Sequence, residues 1–182
     1  MRSITIVLTI ITFLFACDIG DSVIFRMTNV ECISHNKSWV RVNMCRLKAI
    51  SRYKVVFNFN ATLFYPTPDI RVTYRVFKRE NGYKPWMINV EIDSCRFLRK
   101  PYNVFGVMIY NFFRNFTNAN HTCPLSGDLI VKNMYLTTEP FKGLPWPTGE
   151  YLFAMNWKFF RKPQFDTNVS FQFIEDLLQP KV

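Results

Sequence analysis

The chain is 182 residues long, 49% hydrophobic and 17% aromatic, with 19 Phe against 6 Gly, a composition that excludes intrinsic disorder. Its formal charge is +10, yet the basic residues recur along the whole chain in short groups such as Arg96, Arg99 and Lys100, or Lys158, Arg161 and Lys162. A nucleic-acid reader concentrates such charge on a recognisable module, so no nucleic-acid partner is expected; a dispersed positive surface suits anionic headgroups, acidic glycans or plain solubility.

The N-terminus opens on Met1 and Arg2, continues almost wholly apolar from Ile4 to Phe15, and reaches the small residues Ala16 and Cys17 before Asp18. That order of charge, apolar core and small residues predicts a signal peptide over residues 1–20, cleaved somewhere in 16–20. The apolar run is shorter than the ~20 residues that span a bilayer, so no transmembrane segment is expected and the chain is read as secreted and extracellular. Residues 21–182 suffice for a single domain with a real core.

Period-two alternation dominates that domain. Strands are predicted at Val23–Glu31 and Ser38–Lys48, then over Tyr53 to Leu63, where Phe57, Phe59, Ala61 and Leu63 share one face and Asn58, Asn60 and Thr62 the other. Ile70, Val72, Tyr74 and Val76 alternate with polar residues up to Asn81-Gly82, after which Trp86, Ile88, Val90 and Ile92 resume the pattern. This is a hairpin signal, with extra flanking residues that predict a loop longer than two. Apolar residues at Phe105, Met108, Ile109, Phe112, Phe113 and Phe116 instead follow helical spacing, predicting one helix over Tyr102–Phe116 with Pro101 at its start. Strands follow at Asp128–Thr138, Glu150–Phe160 (Phe153, Met155 and Trp157 on one face) and around Val169, Phe171 and Phe173. Pro145, Trp146 and Pro147 make a rigid turn before the second of these. About eight strands and one helix predict a mainly β fold, an antiparallel β-sandwich with aromatic facing surfaces.

Cys17 leaves with the signal peptide, and Cys32, Cys45, Cys95 and Cys123 remain, an even number for an oxidising compartment. Four cysteines allow three connectivities; pairing Cys32 with Cys45 and Cys95 with Cys123 is favoured because each bond closes one local unit. A zinc site is the weaker alternative, with no Cys-x-x-Cys pair and only His35 and His121 to complete it; no metal and no cofactor is expected. Five Asn-x-Ser/Thr sequons, at Asn36, Asn60, Asn115, Asn120 and Asn168, make glycosylation an expectation. Those at Asn60 and Asn168 fall on the polar faces of their strands, whereas Asn115 sits near the helix's apolar stripe.

The segments Asn29 to Cys32, Cys45 to Lys48, Phe77 to Trp86, Asp93 to Leu98, Asn120 to Pro124 and Leu144 to Tyr151 resemble, in order, a large insect family of uncharacterised secreted proteins. The likeness spans about Phe25 to Phe173. That family, best known from fruit flies, is similar to the chemosensory B-type proteins, which in turn resemble the ML lipid-recognition proteins. The resemblance implies an immunoglobulin-like sandwich that opens between its sheets for an apolar ligand, with Cys95–Cys123 spanning an inter-strand loop.

Two functions follow as expectations. In the first, the protein is a non-enzymatic carrier or presenter of a small apolar molecule, a lipid or hydrocarbon chemosignal, with Phe57, Phe59, Phe105, Met108, Phe112, Phe153, Met155 and Trp157 as candidate lining residues. Core packing alone also accounts for aromatic residues at these positions. In the second, the core is closed and the protein docks on a cell-surface receptor through aromatic turns such as Lys84-Pro-Trp86 and Pro145-Trp-Pro147. Hydrolysis is not expected. The chain has no Gly-x-Ser-x-Gly elbow and no His-Glu-x-x-His helix, and Glu91 and Asp93 share a strand face without a cleft to act in.

Overall fold

The computed structural model describes residues 22–51, 54–135, 137 and 146–176. The expected signal peptide, Tyr53 and Pro145 lie outside the described residues. Eight strands form two antiparallel sheets: β1 Ser22–Ser34, β2 Val40–Ala49, β3 Val55–Thr67, β4 Ile70–Glu80, β5 Gly82–Asp93, β6 Leu125–Met134, β7 Gly149–Phe159 and β8 Lys162–Asp176. The larger sheet has the order β1-β8-β7-β4-β5 and the smaller β2-β3-β6. The adjacency of β4, β7 and β8 in one sheet and of β3 and β6 in the other is that of the C, F, G and B, E strands of an immunoglobulin-type sandwich.

Alternation explains why these segments pair as they do. In β3, Phe57, Phe59, Ala61 and Leu63 are all buried, and in β8, Phe165, Thr167, Val169, Phe171 and Phe173 are buried while Asn168, Ser170 and Gln172 are part-exposed. A one-residue slip would turn either stripe to solvent, so burial fixes the register. The outward face of β3 is not wholly wet: Val56 and Asn58 are buried as well, and the Asn58 side-chain oxygen accepts from the backbone N–H of Asn133 at 3.0 Å.

The β4–β5 hairpin departs from its sequence reading. Glu80 pairs with Gly82, so Asn81 alone forms the turn; Gly82, at φ +91°, supplies the left-handed step. The surplus residues sit lower in the hairpin, where Arg75 faces Asn89 but Val76 faces Trp86, leaving Met87 (φ +43°) and Ile88 in a bulge on β5.

Two helices, not one, fill the crossover from β5 to β6. The first, α1, covers Ser94–Arg99 and is capped by Asp93, whose carboxylate accepts from Arg96 N at 2.9 Å. At six residues it is too short to show a period in sequence. The second, α2, covers Val104–Phe113, capped by the Asn103 side chain on Gly106 N at 2.9 Å. Pro101 therefore stands between the helices rather than at the head of the second, and the Asn103 cap sets where α2 begins.

The disulfides are Cys32–Cys45 and Cys95–Cys123. Cys32 lies in β1 and Cys45 in β2, so the first bond ties the two sheets together. The second joins α1 to the segment before β6 and closes a 28-residue separation that contains α2.

Buried side chains form two clusters. One gathers Phe57, Phe59 and Leu63 of β3 with Ile70, Val72, Phe159 and Phe165 of the large sheet, Phe97 of α1 and Ile109 of α2. The other gathers Phe25, Val76, Trp146, Tyr151, Phe171 and Phe173. Phe153, in the middle of β7, packs against both.

Candidate functional site

The site lies where the two clusters meet. In β7, Tyr151 and Phe159 are fully buried, yet the inward-facing residues between them, Phe153, Met155 and Trp157, are only part-buried. A strand in the middle of a sheet whose inner face is covered at both ends and bare at its centre must front a void. That void is a cavity of about 140 Å³ between the sheets.

Each wall has a different source. The large sheet contributes Tyr74 and Val76 of β4, Phe153, Met155 and Trp157 of β7, and Thr167, Val169 and Phe171 of β8. Opposite them stand Phe57 and Phe59 of β3 with Leu129, Val131 and Met134 of β6. A three-stranded sheet cannot cover a five-stranded one, and α2 takes part of the remainder: Phe105, Met108, Ile109, Phe112 and Phe113 form its cavity-facing stripe. This stripe follows the i, i+3, i+4, i+7 spacing of an amphipathic helix. Helix α2 can approach this closely because position 106 is glycine: a Cβ there would meet Ile92 Cδ1 at 2.8 Å and Phe97 Cε2 at 2.9 Å.

All eight side chains singled out from sequence, Phe57, Phe59, Phe105, Met108, Phe112, Phe153, Met155 and Trp157, line this one cavity. Sequence reasoning missed Phe25, Tyr74, Val76, Thr167 and Trp146. Trp146, which the flanking prolines place in a turn, is buried rather than exposed, its ring 4.9 Å from that of Tyr151 and 6.0 Å from that of Phe171. The Tyr151 hydroxyl donates to the Pro147 carbonyl at 2.6 Å, which fixes the turn in place.

Among the described residues no charged side chain lines the cavity. The one titratable group in this described lining is the Tyr74 phenol, whose pKa burial raises far above the usual tyrosine range, so it remains neutral. The ring stacks on Phe153 at 5.8 Å. The space can therefore take an apolar molecule out of water but has no partner for a charge.

The other sequence-derived positions lie outside. Glu91 receives Lys158 at 2.7 Å and Thr73 at 3.2 Å on the outer face of the large sheet; the Lys158 bond is the main cause of its lowered pKa. Asp93 is the α1 cap. His35 bonds Asp166 at 3.0 Å, His121 contacts the Thr122 carbonyl, and among the described residues no three His, Cys, Asp or Glu side chains converge on a metal position. Asn115 and Asn120 are exposed; Asn36, Asn60 and Asn168 are part-exposed. Asn36 accepts from Ser38 of its own sequon at 2.7 Å, and Asn60 from Asn43 at 3.0 Å.

Fold and site together define a disulfide-bonded antiparallel β-sandwich with an apolar cavity between its sheets. Residues 72–153, from β4 into β7 and including both helices, match the model of a family described as a protein of unknown function (DUF1091). No curated protein matches the chain. Two disulfides are compatible with an oxidising extracellular compartment, and no helix among the described residues is long and apolar enough to cross a membrane.

Proposed function

We propose that the protein is a secreted, non-enzymatic binding protein that carries or presents a small apolar molecule between its sheets. The cavity of about 140 Å³ is the observation that carries this reading. A core void of ~150 Å³ lined by aliphatic and aromatic side chains takes up benzene or xenon. The ligand is thus a compact apolar molecule or the end of a slender chain, and transfer from water supplies its affinity. The sequence likeness to the insect secreted family and, through it, to lipid-recognition proteins supports the same reading. So does a lining that, among the described residues, offers no pair of titratable groups for acid–base chemistry. Secretion is supported by the signal-peptide pattern and the two disulfides, and glycosylation by the accessibility of the sequon asparagines.

The test is native mass spectrometry of the protein purified from a eukaryotic secretory host, before and after organic extraction, followed by titration with benzene-sized apolar probes. The expected result is an extractable adduct and one saturable probe site. A protein that carries nothing and takes up no probe would refute the proposal.

A second reading, docking through the surface, has its own support in a different place from the turns named in the sequence analysis. At one end of the sandwich Trp39 contacts Tyr65 at 5.0 Å and Phe160 at 5.7 Å, with Tyr65 52% and Phe160 47% exposed. Phe160 and Arg161 form the β7–β8 turn at φ 49° and 64°. Two side chains other than glycine in left-handed conformations are unusual in such a turn. Substituting Phe160 and Tyr65 with Ser leaves probe uptake intact under the carrier reading and abolishes cell-surface binding under this one.

A further inference from the structure

The cavity wall is almost wholly apolar, but two of its hydroxyl-bearing residues stand in one row of the large sheet. Across the large sheet Tyr74 of β4 pairs with Met155 of β7, and Met155 pairs with Thr167 of β8. The three therefore form a single row on the inner face, with the two hydroxyl-bearing residues on either side of Met155 and about 5 Å between neighbouring strands. Trp157 lies two residues along β7 on the same face. All four line the cavity.

None of the three polar groups among them is satisfied by the fold. Thr167 is 4% and Tyr74 6% exposed, and no hydrogen bond within the described residues engages either hydroxyl. Trp157 Nε1 is buried and equally unpartnered, its ring stacked on Phe165 at 5.1 Å. Buried polar groups in native proteins are overwhelmingly paired, and each one left alone disfavours the empty state. Val would fill the Thr167 position and Phe the Tyr74 position without that cost. Two neutral hydroxyls, one on either side of Met155 in the row, with no charged side chain among the described lining residues, suit a neutral oxygen acceptor and disfavour a carboxylate.

Building on the carrier reading, we infer that the ligand is an apolar molecule bearing one neutral hydrogen-bond acceptor, a ketone, aldehyde or ester oxygen, anchored at the row formed by Tyr74, Met155 and Thr167. A pure hydrocarbon leaves these donors unmet, and a free fatty acid would have to surrender its charge.

The test compares two volatile probes of six heavy atoms, hexane and 2-pentanone, by headspace depletion over the intact protein and over Thr167→Val, Tyr74→Phe and the double variant. In the double variant, 2-pentanone binding weakens by roughly 3- to 10-fold per hydrogen bond lost, while hexane binding holds or tightens; Thr167→Ser retains the ketone. The hexane affinity of each variant reports that its cavity is still formed. A ketone-to-hexane ratio unchanged by all the substitutions overturns this inference alone, as does a native protein that binds hexane and refuses 2-pentanone. Uptake of neither probe by the native protein overturns the carrier reading and this inference with it.

Discussion

Filling the cavity separates a space kept open for a ligand from an ordinary core. Val169 sits in the middle of β8, opposite Phe153, and lines the void. Val169→Phe keeps a good strand former in place and adds four carbons directed into the empty space. At ~24 cal/mol per Å³ of cavity, the 140 Å³ void costs the ligand-free protein about 3 kcal/mol. Filling a third to a half of it recovers about 1–1.5 kcal/mol, and at about 2–4 °C per kcal/mol for a chain of this size the melting temperature rises by about 2–6 °C. The remaining volume falls below that of a benzene-sized site, so probe uptake should be lost in the same variant. Differential scanning calorimetry and probe titration on one sample read both quantities. A melting temperature that falls by several degrees shows that Val169 already meets packed atoms, and a raised one with undiminished uptake places the ligand elsewhere; either result refutes the reasoning.

Gly106→Ala gains about 1 kcal/mol of helix propensity but drives a methyl into Ile92 and Phe97, at an overpacking cost of about 1–3 kcal/mol. A net loss of about 1 kcal/mol is expected in the urea midpoint. Replacing Cys95 and Cys123 by Ala releases a 28-residue separation and costs about 3.5 kcal/mol in the chain-entropy account. The same change at Cys32 and Cys45 releases 13 residues and costs about 3 kcal/mol. The two losses are measured by denaturant unfolding, and probe uptake by the first variant reports whether α2 keeps its place without its bond. Glu91, whose pKa is held down chiefly by Lys158, contributes stability that is present above its ordinary value of 4.5 and lost as pH falls through the lower folded value. Lys158→Gln should flatten that acid limb when melting temperature is followed downward from pH 6.

Much of the fold was legible because a strand buried on one face writes its periodicity into the chain. Phe57, Phe59 and Ala61, or Val169, Phe171 and Phe173, announce both a strand and its inward side. The same pattern says nothing about which strand lies opposite. Phe57 and Phe153 were thus recognisable as inward-facing, whereas the position of Tyr74 and Thr167 in one row with Met155 depends on the strand order β4-β7-β8. Thr167 was invisible for a further reason: a hydroxyl residue in a strand of alternating Phe and Val signals nothing until its lack of a partner is seen. Trp146 was misread because flanking prolines mark a turn, and a turn reads as surface until its ring is found against Tyr151 and Phe171. The short α1 helix gave no periodic signal at all. The β4–β5 loop was overestimated because sequence counts residues without locating the bulge that absorbs them.

That bulge has a bearing on how the molecule survives at high concentration. β5 is an outer strand of the five-stranded sheet, with β4 as its partner in the sheet order. Such a margin is a template on which a second chain can assemble into an aggregate. Here it carries Pro85, which has no N–H to offer, beside the exposed Lys84 and the left-handed kink at Met87. A protein whose core is so rich in phenylalanine thus has an irregular, charged and proline-broken border where it would otherwise be most adhesive.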